Sequence, residues 1–272
     1  MKKIICLLST VAILFSLMTF FAPSKASAEE DTKLSKEVVS SEIIDLEETE
    51  EQVANQKVQT LTEEEFNKYK AEGMYGENDT YEAVVNAFEE SFENPVDNTK
   101  TEAGKISALA ASTSLKGYVS SPGDILITND TQNGSGVSGH AGIAIGNGYI
   151  LEIRGKGKTM VRTSVSDWRK KYKKTNVYRV KTQSVAVEAA RWAKANYWDK
   201  NRKPTYKITN DIYKTNPTYC SKVVWQAYYF GTGSKKVVNV PSSRFVGPYA
   251  LRTQFTPTYK PARIIKEHQW AN

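Results

Sequence analysis

The chain has 272 residues, 40% of them hydrophobic, a formal net charge of +7 and two cysteines. Its length is enough for one well-buried domain with a sizeable extension, and two cysteines exclude a fold stapled by a disulfide framework. Charge is divided unevenly: residues 29–117 carry 22 acids against 8 basic residues, whereas residues 118–272 carry 26 basic residues against 8 acids. Such a split marks a boundary between two regions with different tasks.

The start, MKKIICLLSTVAILFSLMTFFAPSKASA, places Lys2 and Lys3 ahead of an apolar run from Ile4 to Phe21 and the small triplet Ala26-Ser27-Ala28. This predicts a secretory signal peptide over residues 1–28, cleaved after Ala28 and taking Cys6 with it. An uncleaved anchor is the alternative, since the run is just long enough to span a bilayer. Pro23 and the cleavage triplet favour removal, and no stable membrane span is expected afterwards.

Residues 29–59 are rich in Glu, Ser, Thr and Gln, lack aromatics and are expected to be mostly disordered. A short helix is predicted from Thr62, whose capping box with Glu65 precedes Phe66 and Tyr69. A second is predicted over Tyr81–Phe92, where Val84, Val85, Phe88 and Phe92 recur at helical spacing. Asn98 to Ser114 reads as a linker. Residues 29–114 are thus an acidic pro-region or spacer, and residues 115–272 the functional domain. The opposite charges raise two readings, a cover over the basic site or a solvated spacer.

Strands are predicted over Asp124–Thr128 (DILIT), Ala141–Ile145, Tyr149–Ile153, Asn176–Val180 and Ala262–Ile265. Helices are predicted over Ser184–Trp198 and Ser221–Phe230, the latter closing at Gly231. Strands mostly first and helices later predict an α+β domain, a largely antiparallel sheet with helices packed on it.

After the leader only Cys220 remains, either an inert buried thiol or a reactive one. It opens an amphipathic helix, where unpaired N–H groups favour the thiolate, and that position favours a nucleophile. Two histidines are available as a base. His268 sits beside the C-terminus and reads as a surface residue, while His140 opens a strand after the Gly- and Ser-rich stretch 133–139. Glu152 is the candidate to orient His140, or else an exposed carboxylate paired with Arg154. If Gly146-Asn147-Gly148 all turn, Gly142 faces Glu152 and His140 is its diagonal neighbour on one face. If only Asn147-Gly148 turn, His140 points to the other side. Tyr219 is either a second oxyanion donor or an ordinary packing aromatic.

PGDILIT followed by GHAGIAIGNGYILEI resembles the histidine half of NlpC-type cell-wall peptidases, and TYCSKVVWQAY resembles their cysteine-bearing helix. Here the cysteine follows the histidine, the order of the circularly permuted papain-like branch that includes YiiX-like and YycO-like proteins. The resemblance spans about Pro122 to Glu267. It implies a permuted papain-like fold with Cys220 as nucleophile, His140 as general base and acid, and Glu152 as orienting residue. Ala250 departs from it, standing where the family often has an acid before the Leu.

The resulting expectation is a secreted or wall-associated bacterial cysteine hydrolase, an amidase or peptidase acting by thiol acyl transfer on cell-wall peptide or related amide bonds. Alternatives are a lipid-ester hydrolase or acyltransferase of the same fold, and a non-catalytic basic wall-binding protein. Partners are expected to be an anionic wall polymer or a peptide or lipid substrate, with no nucleic acid, since export argues against it. No metal or cofactor is implied by the residue pattern. The cluster from Arg169 to Lys174, with Trp168 and Tyr172, reads as an anion-binding patch or, more simply, a solvated helix end.

Overall fold

The computed structural model describes residues 53, 55–93, 114, 115, 118–130, 139–233 and 236–267. The expected signal peptide, most of the stretch expected to be disordered and nearly all of the expected linker lie outside these residues. The last six residues of the 29–59 stretch that are described are not loose: the Gln59 N–H donates to Lys181 O and the Gln183 N–H to Gln59 O, both at 2.8 Å. Its composition has no core-forming pattern. Its terminal backbone is nevertheless held because the chain at residues 181–183 offers it a bridge partner.

Helix α1 (Glu63–Ala71) starts as predicted, with Thr62 Oγ1 accepting from the Glu65 N–H and the Glu65 carboxylate accepting from the Thr62 N–H. Helix α2 (Tyr81–Glu93) buries Val84 and Phe88. Leu61, Phe66, Tyr69 and Met74 from this acidic region are nearly fully buried in one cluster with Val187 and Ala190. Burying each large side chain is worth roughly 1.5–3 kcal/mol. The docking has an apolar centre, with the Arg191–Glu72 ion pair at 3.0 Å beside it, although the region is conspicuous for its charge.

Strands β1 (Ser114–Leu115) and β2 (Tyr118–Val119) form a small hairpin. The main sheet contains β3 (Ile125–Thr128), β4 (His140–Ala144), β5 (Tyr149–Ile153), β6 (Met160–Ser164), β7 (Thr175–Arg179) and β8 (Ala262–Ile265). Its order is β6-β5-β4-β3-β7-β8, with every neighbouring pair antiparallel. Helix α3 (Val165–Lys171) lies between β6 and β7, α4 (Gln183–Ala193) follows β7, and α5 (Cys220–Gly231) precedes the last strand.

Both faces of the sheet are covered, so β3 and β4 are buried at every position. One face packs Ile125, Ile127, Ile143 and Leu151 against Val185 and Ala189 of α4 and Val223, Val224 and Ala227 of α5. The other packs Leu126, Ala144, Ile150 and Val177 against Val165 and Trp168 of α3 and Ile264. Asp124 and Arg179 form a buried bidentate pair at 2.7 Å, into which Tyr118 Oη also donates at 2.7 Å. This pair ties β7 to the turn that starts β3.

Two elements depart from the sequence reading. Strand β6, MVRTS, is an edge strand with an exposed Arg162, and its polar run carries little strand pattern. The helix predicted over Ser184–Trp198 is α-helical to Ala193 and continues as a π-helix over Lys194–Asp199, with Tyr197 buried.

Candidate active site

The hairpin between β4 and β5 decides the geometry. Ile143 pairs with Leu151 and Ala144 with Ile150, the register in which Gly146, Asn147 and Gly148 all turn. All three adopt positive φ, 92°, 51° and 69°, which two glycines and an asparagine tolerate. In this register Gly142 falls opposite Glu152. His140 and Glu152 then share a face, and His140 Nε2 lies 2.8 Å from Glu152 Oε2.

Glu152 is 1% exposed, so its charge needs partners. Oε1 accepts from Thr163 Oγ1 at 2.6 Å and Arg154 Nε at 2.9 Å, and Oε2 accepts from Tyr172 Oη at 3.0 Å beside the histidine. Arg154 also donates to Thr163 Oγ1 at 3.0 Å. Glu152 is therefore not the exposed carboxylate of the alternative reading, although Arg154 does reach it: one carboxylate oxygen takes Arg154 and the other takes His140. Burial alone would raise its pKa. The hydrogen bond and charge of His140, with Thr163 and Arg154, outweigh that and hold it down at about 2.

His140 is held on its faces as well as its edge. Its ring stacks on Trp168 with centroids 5.4 Å apart and planes 20° apart, and lies 5.3 Å from the Tyr172 ring. Gly142 makes the stack possible. A Cβ there would sit 2.7 Å from Ile150 Cγ2 and 2.8 Å from the Trp168 ring.

Cys220 begins α5, and Tyr219 ahead of it supplies no side-chain cap to the first-turn N–H groups. The His140 side chain and the backbone N–H groups of Ala141 and Ser221 act on the sulfur and favour its thiolate. Since Nε2 is taken by Glu152, Nδ1 is the ring nitrogen left to exchange a proton with Cys220. Burial pushes the thiol up, but the His140 hydrogen bond and charge and the two backbone donors outweigh it and lower its pKa. For His140, burial lowers the pKa, while hydrogen bonds and charges from Cys220 and Glu152 raise it to about 9. Both shifts favour a thiolate–imidazolium pair. Cys220 is 7% exposed and His140 4%, so the pair lies just below the surface.

Tyr219 is buried, its hydroxyl accepting from the Val246 N–H at 3.2 Å and its ring packing on Phe245 at 5.3 Å. Ser221 Oγ donates to Val246 O at 2.8 Å, so the loop over the site is tied to both neighbours of the cysteine. Lys222 Nζ donates to Asp211 O and Pro217 O, holding the preceding loop against the same helix end. His268 lies outside the described residues. Among the described residues no group of three His, Cys, Asp or Glu side chains could hold a metal ion.

Trp168 and Tyr172 are the site residues that the sequence reading misplaced by treating their stretch as a charged patch or solvated helix end. Lys170, Lys173 and Lys174 are indeed exposed, but Val165, Trp168 and Tyr172 are buried. A readable signal was present in the helical spacing of these three after Ser164, whose hydroxyl caps the Asp167 N–H.

Sheet, helices and buried Cys–His–Glu cluster together define a mixed α+β protein with a thiol–imidazole–carboxylate site at one end of its sheet. A family model described as lipoprotein N-acylation protein LnsA-like matches residues 91–268, more than half the chain, and the chain belongs to that family. It is similar to an uncharacterized 30.3 kDa protein of Bacillus thuringiensis, 42% identical over 158 residues that cover 54% of this chain and 58% of the relative. The matched stretch therefore spans less than two thirds of that relative. No solved structure matches significantly.

Proposed function

We propose that the protein is a cysteine-dependent acyl-transfer enzyme of the permuted papain-like class, with a lipid ester as acyl donor. The observation that carries this reading is the buried His140–Glu152 hydrogen bond at 2.8 Å, with His140 close enough to Cys220 to favour its thiolate. The family description, which names lipoprotein N-acylation, favours a lipid ester over the cell-wall amide that the NlpC-type motifs suggest. The leader-like residues 1–28 support action outside the cytoplasmic membrane.

The chemistry follows from the site. The Cys220 thiolate attacks the acyl carbonyl, and the oxyanion is stabilised by backbone N–H groups at the start of α5, with Tyr219 as a further candidate donor. His140 gives its Nδ1 proton to the departing alcohol, leaving the acyl group on sulfur as a thioester. An acceptor, water or an amine, then loses its proton to His140 while attacking the thioester, and the thiolate is released. Throughout, Glu152 stabilises and orients the imidazole.

Mass spectrometry of the protein after incubation with phospholipid tests this directly. A fatty-acyl mass on Cys220, absent in Cys220→Ala, is the expected result. Adduct formation only with wall peptides would favour the amide reading. No adduct and no turnover with either donor would leave a binding protein.

A further inference from the structure

Six large hydrophobic side chains are exposed among the described residues, and five of them, Ile208, Tyr213, Val240, Phe245 and Tyr249, lie on two segments packed along α5, Phe245 against Tyr219 at its start and Tyr213 against Trp225 and Tyr229 further along. The first loop is fixed to the residues before Cys220 by Tyr206, which bridges to Thr218, and by the Lys207 N–H, which donates to Thr218 O at 2.9 Å. In the second, Phe245 packs on Tyr219, and Val246 is bonded to Tyr219 and Ser221. Tyr213 joins the loops, its ring 5.3 Å from the Arg244 guanidinium. Tyr249 closes the far side against Gly139, next to His140, where an added Cβ would lie 2.7 Å from its ring.

The two loops themselves carry Lys207 and Arg244 against Asp211, which already pairs with Lys214 at 2.8 Å. The flanking chain adds to this: residues 200–218 and 236–260 together hold nine Lys and Arg against that one acid, with Arg252, one of the nine, buried. Cations beside exposed aromatics suit an anionic bilayer surface, whose lipid headgroups attract Lys and Arg and whose interface accepts the rings. A soluble polyanion would use the cations but bury none of the apolar tips. Ile208, 57% exposed, gains nothing from such a partner.

We propose that the loops 206–213 and 240–249 form a membrane-docking rim that seats the Cys220 end of α5 on an anionic phospholipid bilayer. The proposal deepens, and rests on, the reading of the site as an acyl-transfer centre fed by a lipid ester. The rim brings the buried thiol to the depth of the ester groups, so the donor moves from the bilayer to Cys220 without crossing water.

Vesicle sedimentation tests the rim without the chemistry. The protein is prepared from Glu29 onward with Cys220→Ala, so that neither the apolar leader-like run nor acylation contributes. Binding to phosphatidylglycerol–phosphatidylcholine vesicles is expected, stronger than to pure phosphatidylcholine and weakened by salt. Ile208→Asp with Phe245→Asp is expected to weaken it at least tenfold. Because Phe245 packs on Tyr219, Ile208→Asp with Val240→Asp is the second variant, with the melting temperature as the folding control. No vesicle binding overturns the proposal. So does binding that the apolar variants leave unchanged and that soluble polyphosphate or teichoic acid matches. Vesicle binding without acylation of unmodified Cys220 would remove the lipid-ester reading while leaving the surface standing, whereas acylation from a soluble donor without vesicle binding would remove the rim alone.

Discussion

Tyr172 and His140 meet on a single oxygen of Glu152, the hydroxyl at 3.0 Å and Nε2 at 2.8 Å from Oε2. Tyr172 arrives from the end of α3 and His140 from the start of β4, so the carboxylate also joins two elements across one face of the sheet. Removing the hydroxyl deletes a hydrogen bond to a buried anion, worth about 1.5–3 kcal/mol. Tyr172→Phe is therefore expected to lower stability by that order and to reduce kcat about tenfold with little change in KM. Denaturant unfolding and steady-state kinetics on the same preparation check both.

The coupled ionisations give a pH signature. With its pKa lowered from the ordinary 9.0, Cys220 is expected to lose less iodoacetamide reactivity between pH 8 and pH 6.5 than an ordinary thiol does. A thiol at its ordinary value loses about thirtyfold over that interval. Rates that fall as steeply as those of a free thiol would show that no ion pair forms.

Stability should track the same groups with opposite signs. His140, raised from 6.5 to about 9, contributes stability that is fully present below 6.5 and lost as pH rises through about 9. Glu152, lowered from 4.5 to about 2, contributes stability present above 4.5 and lost as pH falls through about 2. Melting temperatures across this range should decline toward both ends. In Glu152→Gln the acid-side contribution of this residue disappears, thiol reactivity at pH 6.5 falls toward that of an ordinary cysteine, and kcat drops about 10²–10⁴-fold.

Gly142 tests the aromatic packing. An alanine there places its Cβ within 2.8 Å of both Ile150 and Trp168, and overpacking of this kind costs about 1–3 kcal/mol. Gly142→Ala is expected to destabilise by that order and to displace the Trp168 ring from His140. The readouts are a shift in tryptophan fluorescence and a lowered imidazolium pKa measured by NMR.

Deletion of everything before Ser114 is expected to lower the melting temperature sharply and to expose apolar surface to a dye such as ANS. It strips Leu61, Phe66, Tyr69 and Met74 from Val187 and Ala190 of α4. Met74 lies against Gly146, at the end of β4 opposite His140, about 20 Å away along the strand. Unchanged stability of the shortened chain would mean that this docking contributes little. Activity of the shortened chain, measured at a temperature where it is folded, separates a cover from a scaffold.

Much of this protein was legible from residue order. The capping pair Thr62 and Glu65, the apolar runs of β3, β4 and β5, and the amphipathic pattern behind Cys220 are local signals. Each acts over a few residues, where backbone hydrogen bonding and side-chain spacing are set by immediate neighbours. β6 was not legible because its Arg-Thr-Ser run, on an edge of the sheet, carries little apolar alternation, and the face of α3 was hidden by its own cations.

What the sequence determined by itself was an inventory and two open choices: a thiol at a helix start, an imidazole at a strand start, and a carboxylate with two candidate partners. Tertiary structure decided the three-residue turn at Gly146–Gly148, the side on which His140 points, the sharing of Glu152 between Arg154 and His140, and the enclosure by Trp168 and Tyr172. The physical reason is that a strand's side chains alternate, so a one-residue change of register moves every one of them to the opposite face. Which register wins depends on burying both faces of the sheet at once, a condition set by helices distant in the chain.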